Sequence, residues 1–571
     1  MNMSGLLAVA RGEEAADMIL SGAGIINVFT GEITKGDIAV KDGFIAGIGP
    51  YEAEKRVEVN DKFIIPGFID PHVHIESSMT SVTEFARAVM VRGTTTVIAD
   101  PHEIANVLGL DGIHYMLGSA ENQPIDIFFT LPSCVPATDM ETAGASLPAE
   151  TLGHIIDNEK ILALAEVMNF PGVVAGLPDV LQKIHLTRRA RKPVDGHAPG
   201  LSGLPLNAYI SMGISSDHEC AGPEEVHEKL AAGMHIMIRE GTGARNLKAL
   251  IGSITDYNNG RMMWCTDDRD ALDLMEEGHI DYIVRRAIQS GVNPITAIRM
   301  ATINPAEYFG LKDTGAIAPG RKANLIVLSD LREMEIERVY SYGRLVAEKG
   351  HIANGVLRPQ AIKSGGSMGA DLRNLGFAIG AKGPRIRVIE IVPDQIITRQ
   401  VIMNAPVSDN LAVSDPRQDL LKIAVVERHR GSGNVGMGFV KGMGIKRGAL
   451  ASSVAHDSHN IIVVGNNDSD MLTAVCWLVE IGGGLAAVCD GEIKAGLALP
   501  IAGLMSDQPM DKVCSELRAL IKAAHDMGTP LKNPFMTLSF LALPVIPSLK
   551  ITDRGLVDVK RFEFVPLFID E

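Results

Sequence analysis

A chain of 571 residues with 46% hydrophobic, 21% charged and 5% aromatic content is too long for one hydrophobic core and too apolar for a disordered protein, so about two to four folded domains are expected. Its 53 basic and 69 acidic side chains leave a formal charge of -16, which argues against a broad surface for nucleic acid or anionic membrane. The six cysteines are scattered with no C-x-x-C pair, which excludes a zinc ribbon and a disulfide framework and suits a reducing cytoplasm.

The opening "MNMSGLLAVARGEEAAD" has too short an apolar run, and acids too early, for a signal peptide. From Ile19 to Ile65 short apolar alternations are punctuated by glycine, including a tight turn at Lys41-Asp42-Gly43. The same texture returns in "GAIAPGRKANLIVLSD" and "IERVYSYGRLVAEKG". Residues 1–65 and 312–360 are therefore expected to combine into one small β-sandwich with a large insertion between them.

That insertion, residues 66–311, repeats a short apolar strand followed by a helical pattern. Eight strands are predicted: "FIIPGFIDPHVH", "TTVIADPH", "IDIFFTLPS", "ILALAEV", "KPVDGH", "GISSDH", "MHIMIRE" and "RMMWCTD". "GPEEVHEKLAAG" shows the helix punctuation, with Pro223 at the start, acids in the first turn and Gly233 at the stop. This is the pattern of a (β/α)8 barrel. Residues 351–376, with "KSGGSMGAD", read as a linker, and 375–571 as an additional C-terminal α/β domain. The longest apolar stretch, "MLTAVCWLVEIGGGLAAVC", is broken by Glu480 and three glycines and reads as helix, turn and strand, so no membrane partner is expected.

The chemistry stands at the strand ends: His72 and His74, Asp100 and His102, Glu166, His197, His218, and Asp267 with Asp268. A barrel gathers the carboxyl ends of its strands into one mouth. Singly, a strand-end histidine is usually a satisfied polar residue, but random scatter does not place such residues at six or seven ends of eight. His72 and His74 share a strand face, since residues i and i+2 point the same way. Imidazole and carboxylate without thiolate suit Zn2+, Fe2+ or Mn2+. Four histidines and two acids exceed the three protein ligands of a single catalytic zinc, which points to two ions roughly 3.5 to 4 Å apart with a carboxylate between them. Such ions lower the pKa of a shared water, and Asp267 is the candidate to take its proton.

Other motifs carry less. "GSGNVG" (431–436) matches G-x-G-x-x-G but runs into "MGFVKGMG" rather than a helix. No H-E-x-x-H occurs, nor the H-x-E with P-C-x-x-C of cytidine-type zinc deaminases. "AHDSHN" (455–460) admits a second metal site, an adjunct to the main pocket or a hydrogen-bonded turn, and the turn is favoured. Arg239, Glu240 and Glu219 stand at strand ends either as substrate readers or as salt-bridged supports.

The stretch "FIIPGFIDPHVHIESSM", the returning "GAIAPGRKANLIVL" and the spaced ligands resemble the amidohydrolase superfamily. "IADPHEIANVLG", "FFTLPSCVPAT", "AEVMNFPGV", "DGHAPG", "SSDHE", "WCTDDR" and "LASSVAHDSHNIIVVGNND" narrow the resemblance to the adenine deaminase family, over nearly the whole chain. It implies metal ligands His72, His74, Glu166, His197, His218 and Asp267, with Glu166 bridging; catalytic roles fall to Asp267, His102 and Glu166. Many superfamily hydrolases of cyclic amides carry a carboxylated lysine on the fourth strand, where "ILALAEV" offers Glu166 and no lysine. The first acid after the last strand, Asp267 rather than Asp268, is the ligand in the superfamily pattern.

The resemblance implies deamination of adenine to hypoxanthine and ammonia by a metal-bound hydroxide, with Mn2+ favoured and Fe2+ or Zn2+ as alternatives. A homo-oligomer, a dimer first, and a small-molecule substrate rather than nucleic acid are the partners expected. The competing reading is another binuclear amidohydrolase acting on a cyclic amide or a different aminopurine. A scaffold protein that had lost its metals would lack ligands, and here none is missing.

Overall fold

The computed structural model describes residues 2–356, 358–359, 367–393 and 395–569. Eight short parallel strands form its centre: β1 (Phe68–Val73), β2 (Thr94–Ala99), β3 (Asp126–Leu131), β4 (Ile161–Val167), β5 (Val194–Gly196), β6 (Ser216–Asp217), β7 (His235–Arg239) and β8 (Met262–Cys265). Strands β1 to β5 pair in chain order in one sheet and β6 to β8 in a second. The sheets meet at both seams. The Ser215 amide donates to Val194 O at 2.9 Å, while Asp267 N donates to His72 O at 3.0 Å and His74 N to Asp267 O at 3.2 Å.

Alternation along these strands divides inside from outside. Ile69, Ile98, Met237, Met263 and Cys265 form one buried cluster, whereas Ile236, Ile238, Met262 and Trp264 pack with Ile280, Ile283 and Val284 of the helix Ile280–Gln289. Both faces are covered, so β3, β4, β7 and β8 are largely apolar, whereas β5 carries Asp195 and β6 is Ser216-Asp217. The helix Pro223–Ala231 obeys its local code: it starts after Gly222 with proline in its first turn, and Gly233 follows it at φ +96°.

The run read as one first strand is two. Phe63–Pro66 pairs antiparallel with Leu325–Asp330 in a seven-stranded sheet, and Phe68–Val73 enters the barrel. Gly67 makes the change because its backbone passes so close to Thr95 that a Cβ would sit 2.1 Å from Thr95 Oγ1. The seven-stranded sheet and a four-stranded sheet from Ala16–Glu58 enclose Leu20, Ile25, Val40, Ile64, Leu325 and Val327. Sequence-distant halves therefore share one sandwich core. The expected turn is a two-residue hairpin loop, Asp42 at φ 49° and Gly43 at φ 82°.

Beyond residue 375 lies a nine-stranded sheet, antiparallel except where Arg385–Ile391 meets Val435–Lys441. The helix Asp468–Glu480, a glycine turn and the strand Gly484–Cys489 confirm the reading of the longest apolar stretch. Among the described residues no helix is long and apolar enough to cross a membrane. "GSGNVG" leads into the strand Val435–Lys441 rather than a helix. Within the 351–376 linker, His351–Ile352 is a short strand, and residues 360–366, with "KSGG", lie outside the described residues.

This C-terminal part is docked on the barrel. Asp553 accepts from Thr142 N at 2.9 Å and Thr142 Oγ1 at 2.7 Å, Glu84 Oε2 from Met510 N at 2.9 Å, and Met79 O from Ser506 N at 2.9 Å. Val513, Leu517 and Leu520 join the hydrophobic cluster that packs on Phe85 and Val89 of the barrel helix Val82–Met90. Its loops consequently reach the barrel mouth.

Candidate active site

Six side chains from five strand ends converge at the mouth, all buried: His72, His74, Glu166, His197, His218 and Asp267. Glu166 lies at the centre. Its Oε1 is 3.3 Å from His74 Nε2 and 3.9 Å from His72 Nε2, and its Oε2 is 2.5 Å from His197 Nδ1 and 3.2 Å from His218 Nε2. One carboxylate thus faces two pairs of imidazoles. Asp267 Oδ1 lies 3.0 Å from His74 Nε2 and 3.3 Å from His72 Nε2.

These donors fit metal ions. Nε2 of His72 and of His218 are buried without a hydrogen-bond partner, although carboxylate oxygens stand close by. Imidazole nitrogens and carboxylate oxygens converging on one shared site are the donors that a divalent ion requires. His72, His218 and Asp267 form one group of converging ligand atoms, and Glu166, His197 and His218 another. Two overlapping groups of nitrogen and oxygen donors can hold a metal pair.

The two adjacent aspartates, both at the cavity wall, have different surroundings. Burial raises the Asp267 carboxyl, but Arg239, His72 and His74 outweigh it and hold it well below the usual carboxylate range. Burial and then the Asp267 charge push Asp268 up instead, and Asp268 Oδ1 accepts from Ser77 Oγ at 2.5 Å. Asp267 is the ionised neighbour of the histidines. The segment "IESSM" shapes this wall: Ser77 holds Asp268, and Glu76 Oε1 accepts from Ile104 N at 3.2 Å.

Arg239 is a support. Nη1 donates to Asp267 Oδ2 at 2.8 Å and to Glu219 Oε1, and Nη2 donates to Glu219 Oε2 at 3.0 Å. Glu240 Oε2 accepts from Leu247 N at 3.1 Å and braces its own loop. His102 stands beside the ligands, its Nδ1 2.9 Å from Asp100 Oδ2 and 3.7 Å from Glu166 Oε1. The carboxylate of Asp100 orients the ring and leaves Nε2 facing the cavity side.

Glu103, which no sequence motif marks, and His456 and Asp457 of "AHDSHN", expected as a plain turn, line the cavity. His459 N donates to Ala455 O at 2.7 Å, so the turn exists. It also brings His456 Nδ1 to 2.6 Å from Glu103 Oε1 and His459 Nε2 onto Glu103 Oε2. Burial raises the Glu103 carboxyl, yet His456, His459 and His102 hold it well below its ordinary value. The dense His-Asp-Ser-His motif was the available signal, and only the tertiary fold shows where it points.

Ile396, Phe540, Leu543 and Ile546 complete the cavity as an apolar roof, with Phe540 stacked on His456 at 4.4 Å and 14°. Lys550 ties this roof down, its Nζ donating to Ile396 O and Phe540 O, each at 2.8 Å. Burial pushes its ammonium from 10.5 down to about 7. In that pH window the unfolded chain binds the proton and the folded one does not, so stability rises with pH through it. Below about 7 both states are protonated and the folded state carries the full cost of the buried charge. The melting temperature of wild type relative to Lys550→Met is therefore expected to climb from pH 7 towards pH 10 (about the interval between the two pKa values); a flat difference contradicts this.

Residues 63–346 match the amidohydrolase family and residues 395–563 the adenine deaminase C-terminal domain. An adenine deaminase of Desulfatibacillum aliphaticivorans is 53% identical over 99% of each chain. One of Methanothrix thermoacetophila is 48% identical over 100% of each, and one of Dehalococcoides mccartyi 48% identical over 99% of each. With both halves matched, and the identity running the whole length, the chain belongs to the adenine deaminase family of the amidohydrolase superfamily.

Proposed function

We propose that this protein hydrolyses adenine to hypoxanthine and ammonia, using two divalent ions, Mn2+ before Fe2+ or Zn2+, held by His72, His74, Glu166, His197, His218 and Asp267. The observation that carries the proposal is Glu166, a single carboxylate facing both histidine pairs in a chain of this family. When bound, the ions lower the pKa of a water towards neutrality and polarise the centre under attack.

The chain's own groups handle the rest. Water oxygen adds at C6, its two protons end on the ring nitrogen beside C6 and on the departing amine, and the C6–N bond breaks to release ammonia. Asp267, ionised by Arg239, accepts the proton of the water. His102, oriented through Nδ1 by Asp100, donates to the departing amine. The roof of Ile396, Phe540, Leu543 and Ile546 excludes bulk water, which strengthens each of these interactions. The proposal places the enzyme in the cytoplasm, in keeping with six free cysteines, and as a homodimer, which light scattering would decide.

The test is ammonia release from adenine by protein loaded with Mn2+, against guanine, 2,6-diaminopurine and dihydrouracil. The expected result is that adenine exceeds each competitor by about 100-fold or more in kcat/KM, since an unpaired buried polar group penalises a substrate that lacks the matching one. Turnover of the cyclic amide with none of adenine would transfer the assignment to the competing reading.

A further inference from the structure

We propose that Asp457, delivered by the C-terminal domain, accepts the N–H of the purine's five-membered ring and so makes the pocket select a free base over an N9-substituted one. This rests on adenine being the substrate. Asp457 lines the cavity and is only 2% exposed. Its Oδ2 is fully buried and has no hydrogen-bond partner. The other oxygen lies 3.7 Å from His102 Nε2, beyond hydrogen-bond reach. A carboxylate oxygen in that state costs free energy until a donor arrives.

Adenine brings two kinds of donor. Its exocyclic amine belongs at the reacting centre, beside the histidine pairs. The remaining donor is the single N–H of the five-membered ring, present in both ring tautomers of the base and absent from any N9-substituted purine. Only that group can satisfy Asp457 while C6 reacts.

The loop is built to hold the carboxylate still. His456 and His459 donate to the two oxygens of Glu103, and His459 Nδ1 accepts from Ala455 N at 3.2 Å. Arg428, fully buried, donates through Nε to His459 O and through Nη2 to Ala502 O at 3.0 Å. Glu103, His456 and His459 could be taken for a cation site. Both Glu103 oxygens already accept from imidazole N–H groups, so the carboxylate serves as a hydrogen-bonded brace, while Nε2 of His456 is buried without a partner. It positions Asp457.

The test uses the full-length, metal-loaded enzyme. Calorimetric titration with hypoxanthine and 9-methylhypoxanthine measures the selection without turnover, and adenine kinetics are measured beside it. Wild type is expected to prefer the free base by about 100-fold or more, and Asp457→Asn to weaken hypoxanthine binding by about 10- to 100-fold, the range of a charge-assisted hydrogen bond. KM for adenine should rise by a similar factor while kcat changes far less, and the preference over the methylated base should shrink. Metal content equal to wild type checks that the site is intact.

Wild type that binds the methylated base as tightly as the free one overturns the proposal without any variant. So does an Asp457→Asn enzyme whose kcat falls with KM unchanged, because that assigns Asp457 to the leaving amine. Wild type that releases no ammonia from adenine overturns the functional reading itself, and that result precedes every variant.

Discussion

Glu166→Gln is expected to lower kcat/KM for adenine by about 10³-fold or more and to reduce the metal bound per chain, as the loss of preorganised charge at a reacting centre does. The substitution keeps the shape of the side chain and removes its charge. Glu166 Oε1 faces His74 and His72 while Oε2 faces His197 and His218. An amide cannot offer an anionic oxygen to both sides; one of its two ends is an NH2 donor. The imidazoles on that side then lose the negative partner that completes a divalent site.

Burial by itself opposes an ionised Glu166, and His197 and His218 outweigh it, so the native carboxyl lies well below its usual range. The glutamine removes an anion that the surrounding histidines are arranged to stabilise. Elemental analysis and ammonia release on the same preparation check the prediction. Full activity with undiminished metal would remove Glu166 from the site and undo the reading of a shared carboxylate.

Most of this site is legible in the sequence because its geometry is local before it is tertiary. His72 and His74 share a face through the two-residue period of a strand, and Glu166, His197, His218 and Asp267 each stand at or just past the end of a short strand. A barrel then needs no further instruction to bring strand ends together. The hidden part is what depends on pairing between distant segments. Nothing near residue 239 says that its guanidinium divides itself between Glu219 and Asp267. Nothing near residue 103 says that its carboxylate meets histidines of the C-terminal domain. The break at Gly67 is hidden for a different reason: Phe63–Pro66 and Phe68–Val73 are consecutive extended segments, and only the closeness of Thr95 shows where the sandwich stops.

Arg239→Met is expected to cost stability and activity together, for one reason. Arg239, Glu219 and Asp267 are all buried, and their three charges form one compact group. Removing the cation strands two carboxylates, and breaking a buried pair in this way costs about 3 to 5 kcal/mol. Arg239 is also the first charge that keeps Asp267 ionised. Without it the Asp267 carboxyl moves up, with His72, His74 and His218 left to oppose burial, and the acid is a poorer ligand and proton acceptor. Metal content and kcat should therefore fall beyond what the loss of fold explains.

Two further variants separate these effects. Arg239→Lys keeps a cation but not the planar fork that serves two carboxylates at once, so an intermediate loss is expected. Adding Glu219→Gln to Arg239→Met removes one stranded charge; stability should recover in part, because the two positions share one network and their effects are not additive. Activity should stay low, since Asp267 still lacks its guanidinium. Denaturant melts and ammonia assays on the four proteins decide it. If the double variant is no more stable than Arg239→Met, the stranded charge of Glu219 is not the cause of the loss; if it regains activity, Arg239 does not act through Asp267.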